Sequence, residues 1–381
     1  MENFQFYNPT QILLGRGMIQ EIGNSIKRNS VNKVLLVAGG GSIKKNGVYE
    51  QTIASLQQAG IDWVEAWGVR PNPTLSKVKE LISLAKQEQV QGILAVGGGS
   101  VIDTAKTIAA GIFMDDPWTL FENRFNDVPA LPVFTVLTLS GTGTEFDAGA
   151  VITNEAENKK WFFMAISVAP KVSVIDPSVQ SSLPWYQTVN GSVDAMSHIM
   201  EMYFVGGDNE AVLAQDESYL RTLVSATDRL QADEQDYAAR ASISWIAALA
   251  LSGLANAGQP GTDSAPHALE HAISVYYPTV SHGAGLGVVF PAWIEYCAPQ
   301  HQDIFLRWAH NVWNVDTVED AVAQFRNRLK KWGHPTTLLE LGVDAATIPA
   351  IAENAFAFGL PALVQPLSVI EMQEILMRAY K

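Results

Sequence analysis

Gly92-Ile93-Leu94-Ala95-Val96-Gly97-Gly98-Gly99-Ser100-Val101-Ile102-Asp103 begins as a short apolar run, breaks at three glycines and resumes with helical spacing. A run of this length and composition reads as a buried parallel strand, its turn and the helix that follows. The same order occurs one unit earlier, where Lys33 to Ala38 runs into Gly39-Gly40-Gly41-Ser42. Between the two lie a helical stretch from about Val48 to Ala59 closed by Gly60, a short run from Asp62 to Trp67 and a Pro-Asn-Pro turn at Pro71 to Pro73. A helix from about Leu75 to Glu88, capped by Thr74, completes the interval. Leu131 to Leu137 supplies a further strand. Strand, turn and helix in alternation predict a Rossmann-like, doubly wound parallel sheet. The pattern changes after Asp176-Pro177. From about Thr188 the segments read as helices: Val193 to Tyr203, Glu210 to Leu223, Tyr237 to Leu254 and others to the end. The expectation is an α/β domain over residues 1–180 and an all-helical domain over 181–381.

Composition narrows the function. The chain has 381 residues, 48% hydrophobic and 17% charged, enough apolar material for globular domains and too much for a disordered chain. Twenty-five Lys and Arg against 39 Asp and Glu leave a charge of −14, which repels phosphate backbones and disfavours nucleic acid as a partner. One cysteine, Cys297, cannot form an internal disulfide, as suits a reducing cytoplasm. Met1 to Thr10 lacks the basic-then-apolar order of a secretory signal, and no apolar run approaches the roughly 20 residues of a membrane span. A cytoplasmic protein with no membrane partner is expected.

A strand that ends in glycines and opens a helix can hold phosphate, because backbone N–H groups and the positive end of the helix dipole face the anion. Gly97 to Ser100 offers this, with a serine hydroxyl added, although neither Gly-x-Gly-x-x-Gly nor a Gly-Lys-Ser/Thr signature is present. The turn could equally serve only to connect strand and helix. A carboxylate after the strand that precedes such a unit accepts the ribose 2′-OH of NAD and repels a 2′-phosphate. Gly39 to Ser42 carries no acid and is followed by Lys44 and Lys45, so a bound dinucleotide would be NADP rather than NAD. Thr138 to Glu145, rich in hydroxyls and glycine, could line a cofactor cleft or satisfy local backbone groups.

Of seven histidines, His267, His271 and His282 fall in one short stretch. Asp194 and His198 are four apart on a helix, so they share one face, and His267 and His271 repeat that spacing. Such nitrogen and oxygen donors suit Fe²⁺ or Zn²⁺, and the absence of thiolates suggests a site left open for chemistry. Taken singly, each could be a surface pair or a satisfied core histidine. No Gly-x-Ser-x-Gly elbow supports a serine hydrolase.

These motifs together resemble the iron-containing (group III) alcohol dehydrogenase family, in particular its NADPH-dependent butanol dehydrogenase and broad-range aldehyde reductase branch. They are Asn8-Pro9-Thr10 with Gly15-Arg16-Gly17, Gly39 to Ser42, Pro71-Asn72-Pro73, Gly97 to Asp103, Asp115 to Trp118, Ser140 to Glu145, Asn190-Gly191 with Asp194 and His198, His267 with His271, and His282-Gly283. They run in order over most of the chain.

The resemblance implies metal ligands Asp194, His198, His267 and His282, with His271 a catalytic proton-relay group. It implies cofactor contacts at Gly98, Gly99, Ser100 and Asp103 for the diphosphate, and at Gly39, Gly40, Ser42 and Asn72 on the adenosine side. Further contacts fall on Thr138, Thr142, Asp147, Lys160 and Leu183, with Asp147 standing where this branch tends to have asparagine. The implied activity is reversible reduction of a small aliphatic aldehyde to a primary alcohol by NADP(H), preferred over NAD(H), with one Fe²⁺ or Zn²⁺ in a homodimer. A glycerol-type polyol dehydrogenase, a dehydroquinate-synthase-like lyase and a non-catalytic nucleotide-binding sensor are the alternatives. The lyase lacks support because no cluster of arginines forms a phosphate pocket.

Overall fold

The computed structural model describes residues 1–125 and 127–381. The chain forms two compact units. One comprises Tyr7–Leu183 with Gln235–Ser252, the other Met1–Phe6, Pro184–Glu234 and Gly253–Lys381. A single cut near 180 therefore leaves two exchanges out. Six amino-terminal residues belong with the later helices, and the helix Tyr237–Ala250 belongs with the sheet. That helix is held there by the Ser140 hydroxyl, which donates to Ser244 Oγ at 2.9 Å.

The first unit is built on six parallel strands: β1 (Gln11–Leu14), β2 (Lys33–Ala38), β3 (Asp62–Ala66), β4 (Gly92–Gly97), β5 (Val133–Leu137) and β8 (Val172–Ile175). Their order across the sheet is β1-β8-β5-β4-β2-β3. β6 (Gly149–Asn154) and β7 (Lys159–Met164) form a separate antiparallel pair. The central strands β2, β4 and β5 are almost wholly apolar, Lys33 and Thr135 excepted, because both faces are covered. In β2, Leu35 and Val37 enter one core cluster while Val34, Leu36 and Ala38 enter the other. Each such fully buried Leu or Val side chain stabilises the fold by about 1.5–3 kcal/mol.

Strand order reverses between β2 and β4, since β2 leads outward to β3 and β4 leads the other way to β5. Ligands of open α/β sheets bind at the carboxyl ends of strands flanking such a reversal. Here both glycine turns leave from that point. Ala38 pairs with Val96 and Val96 with Val136, so the loops after β2, β4 and β5 begin side by side.

The second unit is helical. The helices that matter for the site are Trp185–Tyr203, Ala265–Tyr276, His282–Cys297 and Ile348–Phe358. Among the described residues, no helix is long and apolar enough to cross a membrane.

Candidate metal centre and nucleotide turns

Asp194 and His198 sit one turn apart on Trp185–Tyr203, with His198 Nε2 3.6 Å from Asp194 Oδ1. His267 lies near the start of Ala265–Tyr276 and His282 opens His282–Cys297. Their Nε2 atoms stand 4.0 and 3.6 Å from the same Asp194 oxygen. Three helices thus bring three imidazoles to one carboxylate oxygen. The rings of His198 and His267 stack with centroids 4.8 Å apart.

Two buried glutamates turn the rings. Glu201, one turn beyond His198, places Oε1 2.7 Å from His267 Nδ1 and also accepts the His267 backbone N–H at 3.2 Å. It therefore does two tasks. Helix starts carry N–H groups with no internal partner, and here Asp263 Oδ1 accepts from Ala265 at 3.0 Å, Pro266 has no N–H, and Glu201 takes His267. Glu270 Oε2 hydrogen-bonds His282 Nδ1, and Glu270 Oε1 accepts the Ser274 hydroxyl. A carboxyl oxygen hydrogen-bonded to Nδ1, as Glu270 is to His282, favours the proton there and turns Nε2 inward.

That arrangement has an electrostatic consequence. The Nε2 atoms of His267 and His282 face Oδ1 of Asp194, an arrangement that a cation between them would satisfy. Burial pushes the His198 ring well below the usual histidine range, with the neighbouring His267 and His282 rings adding to the effect, so it is a neutral donor. Burial likewise pushes the Glu201 carboxyl well up, with Asp194 adding to the rise against the His267 backbone N–H and the His282 charge. Ligand atoms about 2.0–2.2 Å from one small ion stand about 3.3–3.6 Å from one another in a tetrahedron. Nε2–Oδ1 distances of 3.6, 3.6 and 4.0 Å, nitrogen donors and one carboxylate suit a divalent ion of the Fe²⁺ or Zn²⁺ type, with Asp194, His267 and His282 the tightest group.

Close packing sets these positions. A Cβ at Gly283 would run into the Asn190 backbone on Trp185–Tyr203, one at Gly285 would lie 2.7 Å from Glu270 Cγ, and one at Gly287 would strike the His334 ring. Glycine at alternate positions thus lets the His282 helix approach its neighbours. His334 Nε2 lies 3.1 Å from the Gly283 carbonyl, securing the residue next to His282. His271 stands outside the group around Asp194, with its ring 5.4 Å from that of His282 and stacked 5.7 Å from Phe358.

In the other unit, Gly99 and Ser100 open the helix Gly99–Gly111, ahead of its first internal hydrogen bonds. A Cβ at Gly99 would lie 2.6 Å from Thr142, so this glycine is required by the neighbouring loop. Thr138 is nearly buried, with its N–H on the Gly97 carbonyl at 3.0 Å. Gly40 and Gly41 face open space. Lys160 Nζ donates to Asn72 Oδ1 at 3.0 Å, joining two of the expected cofactor contacts, and Leu183 is half-buried at the end of its own short helix.

Asp103 and Asp147 both make bonds within the fold. Asp103 accepts from the Thr144 hydroxyl at 2.7 Å and from the Val151 N–H at 3.1 Å, and its burial pushes the carboxyl up to about 6. Asp147 Oδ1 is 2.5 Å from the fully buried ammonium of Lys106, which also donates to Thr144 Oγ1 and the Gly149 carbonyl. Both acids are occupied inside the fold, locking the third loop to the helix of the second. Glu201, Glu270 and Lys106 carry roles that the sequence motifs do not assign. The available signal is spacing: Glu201 is seven residues after Asp194, and Glu270 three after His267.

The parallel sheet and the cluster of Asp194, His198, His267 and His282 on helices are the features to set against known proteins. Residues 9–177 match iron-containing alcohol dehydrogenase, and residues 188–380 match the carboxyl-terminal part of the Fe-containing alcohol dehydrogenase family. The chain belongs to the iron-containing alcohol dehydrogenase family. It is 35% identical to NADH-dependent butanol dehydrogenase A of Clostridium acetobutylicum, over 100% of both chains. It is 34% identical to the NADPH-dependent aldehyde reductase YqhD of Escherichia coli, over 95% of each. The crystal structure of NADH-dependent butanol dehydrogenase A from Thermotoga maritima superimposes with a TM-score of 0.97 at 43% identity, covering 100% of this chain and 99% of that one.

Proposed function

We propose that the protein reversibly reduces a small aliphatic aldehyde to its primary alcohol, with NADP(H) preferred over NAD(H) and one Fe²⁺ or Zn²⁺ held by Asp194, His198, His267 and His282. The observation that carries this reading is the convergence of three Nε2 atoms on Asp194 Oδ1, with two of the rings fixed from behind by glutamates. When bound, the ion supplies Lewis acidity toward the substrate oxygen and the dinucleotide supplies the hydride.

The chain's own residues do the rest. Glu270 holds a proton on Nδ1 of His282 by hydrogen bond, and Glu201 stands close behind Nδ1 of His267, so that each Nε2 is left to serve as a donor. Reduction leaves a charged oxygen that needs a proton, which passes through water or through His271, whose ring takes up a solvent proton at one nitrogen as it releases one from the other. The N–H groups of Gly99 and Ser100 bind the diphosphate, while Gly39, Gly40, Ser42 and Asn72 receive the adenosine side. Lys160 and Asn72, already bonded to each other, Thr138 and Thr142 extend that surface, with Leu183 toward the nicotinamide. The preference for NADP(H) is supported by the lack of an acid at the end of β2; the names of relatives carry both cofactors. A cytoplasmic homodimer completes the reading, in keeping with the acidic charge and the single buried cysteine.

The test is metal analysis of the purified protein together with NADPH and NADH oxidation on short aldehydes and on glycerol-type substrates. Bound Fe or Zn with faster turnover on butanal supports the proposal. No oxidation of either dinucleotide by the metal-loaded protein refutes it.

A further inference from the structure

We propose that Glu65 limits the preference for NADP(H) over NAD(H) by holding Lys44 beside the glycine turn in a partly neutralised state. The inference rests on the adenosine end lying at Gly39 to Ser42, as proposed above. The segment after β3 is tied back to that turn: the Gly68 N–H donates to the Gly39 carbonyl at 3.2 Å, and Val69 to Ala38 at 3.3 Å. Glu65 and Trp67 are thereby brought to the end of β2.

Lys44 is exposed and two residues past Ser42, where it is the first cation available to a 2′-phosphate. Its ammonium is already engaged, 4.2 Å from the ring centroid of Trp67 and 4.8 Å from that of Tyr49. Glu65 fixes both rings. Its Oε2 accepts the Trp67 indole N–H at 2.7 Å and its Oε1 accepts the Tyr49 hydroxyl. The Tyr49 hydrogen bond, helped by Trp67, Trp63 and the Lys44 charge, holds this carboxyl below the usual range, so it stays an anion.

Two effects follow. The carboxylate is committed to its ring partners and cannot serve as the ribose acceptor that favours NAD. Its charge nonetheless offsets Lys44, which offers a 2′-phosphate only part of the attraction of a lone ammonium. The discrimination between cofactors is narrow as a result.

The experiment is calorimetric titration of the full-length protein with NADP⁺ and with NAD⁺, without turnover, in the wild type, Glu65→Gln, Lys44→Met and the double variant. Glu65→Gln is expected to tighten NADP⁺ by about fivefold, the scale of an exposed charge pair, and to move NAD⁺ by less than about twofold. Lys44→Met should weaken NADP⁺ by a similar factor, and Glu65→Gln should then have no effect on the NADP⁺/NAD⁺ ratio in its background. An unchanged ratio in Glu65→Gln, or a change that persists without Lys44, overturns the inference. Should Glu65→Gln not fold, as judged by circular dichroism, an unchanged ratio in Lys44→Met overturns it alone. Failure of the wild type to bind either dinucleotide would instead remove the cofactor reading on which it rests.

Discussion

Glu201 Oε1 and His267 Nδ1 lie 2.7 Å apart, joining the helix that carries Asp194 and His198 to the helix that carries His267. The same oxygen takes the His267 backbone N–H, so one side chain serves both the start of a helix and the ring it carries.

Glu201→Gln keeps the shape but can place an amide N–H₂ where the carboxyl oxygen faces His267 Nδ1. Metal affinity, measured by competition with a chelator, is expected to fall by about 10- to 100-fold, the range typical of groups that orient ligands. Glu270→Gln should act similarly through His282. Unchanged affinity in both would show that the rings orient themselves.

Asp194→Ala and His267→Ala remove donors outright. Both are expected to purify with little metal and to lose at least ~100-fold in activity, since ligand loss exceeds the effect of losing an orienting group. Elemental analysis and aldehyde-dependent NADPH oxidation provide the measurements, and near-normal turnover would refute the assignment.

His271→Gln separates proton delivery from metal holding, because His271 stands outside the group around Asp194. The variant should retain its metal while turnover falls by about 100-fold, the low end for a lost acid–base group. The pH dependence of turnover should change shape as well. A parallel loss of metal would make His271 part of the cage instead.

Asp216 predicts a pH-dependent stability. It is fully buried in the helix Glu210–Ala232, and burial, opposed by Gln215 and reinforced by Glu217, pushes its carboxyl up to about 9. The folded state therefore keeps a proton that the unfolded chain releases above about pH 4. The stabilising effect of this proton is complete below that pH and is lost progressively up to about pH 9. Asp216→Asn abolishes the loss, so its thermal midpoint should gain on the wild type as pH rises across that interval. A constant difference throughout would show that the side chain does not titrate in the fold.

Much of the sheet is legible in the sequence because strand and turn signals are local. The apolar run before Gly97 and the one before Gly39 each announce a buried strand without reference to the rest of the chain. β1 and β8 carry four residues each, too few for a period to register, and the β6–β7 pair depends on partners only the fold supplies. The helix Tyr237–Ala250 is legible as a helix, but nothing in its pattern shows that it packs with the sheet. The His and Asp residues converge as their grouping implies. For Asp103 and Asp147 the resemblance implies cofactor contacts, and the fold adds bonds to Thr144 and to the buried Lys106 that no motif announces. A buried ammonium and the acids that satisfy it cannot be recognised until the helix face that points into the core is known.

The register that aligns Ala38, Val96 and Val136 is maintained by main-chain hydrogen bonds, which are indifferent to side-chain identity. The three loops they launch can therefore exchange residues while their relative placement persists. Evolution can retune which nucleotide is welcomed by altering a few positions on a fixed shelf, leaving the architecture beneath untouched.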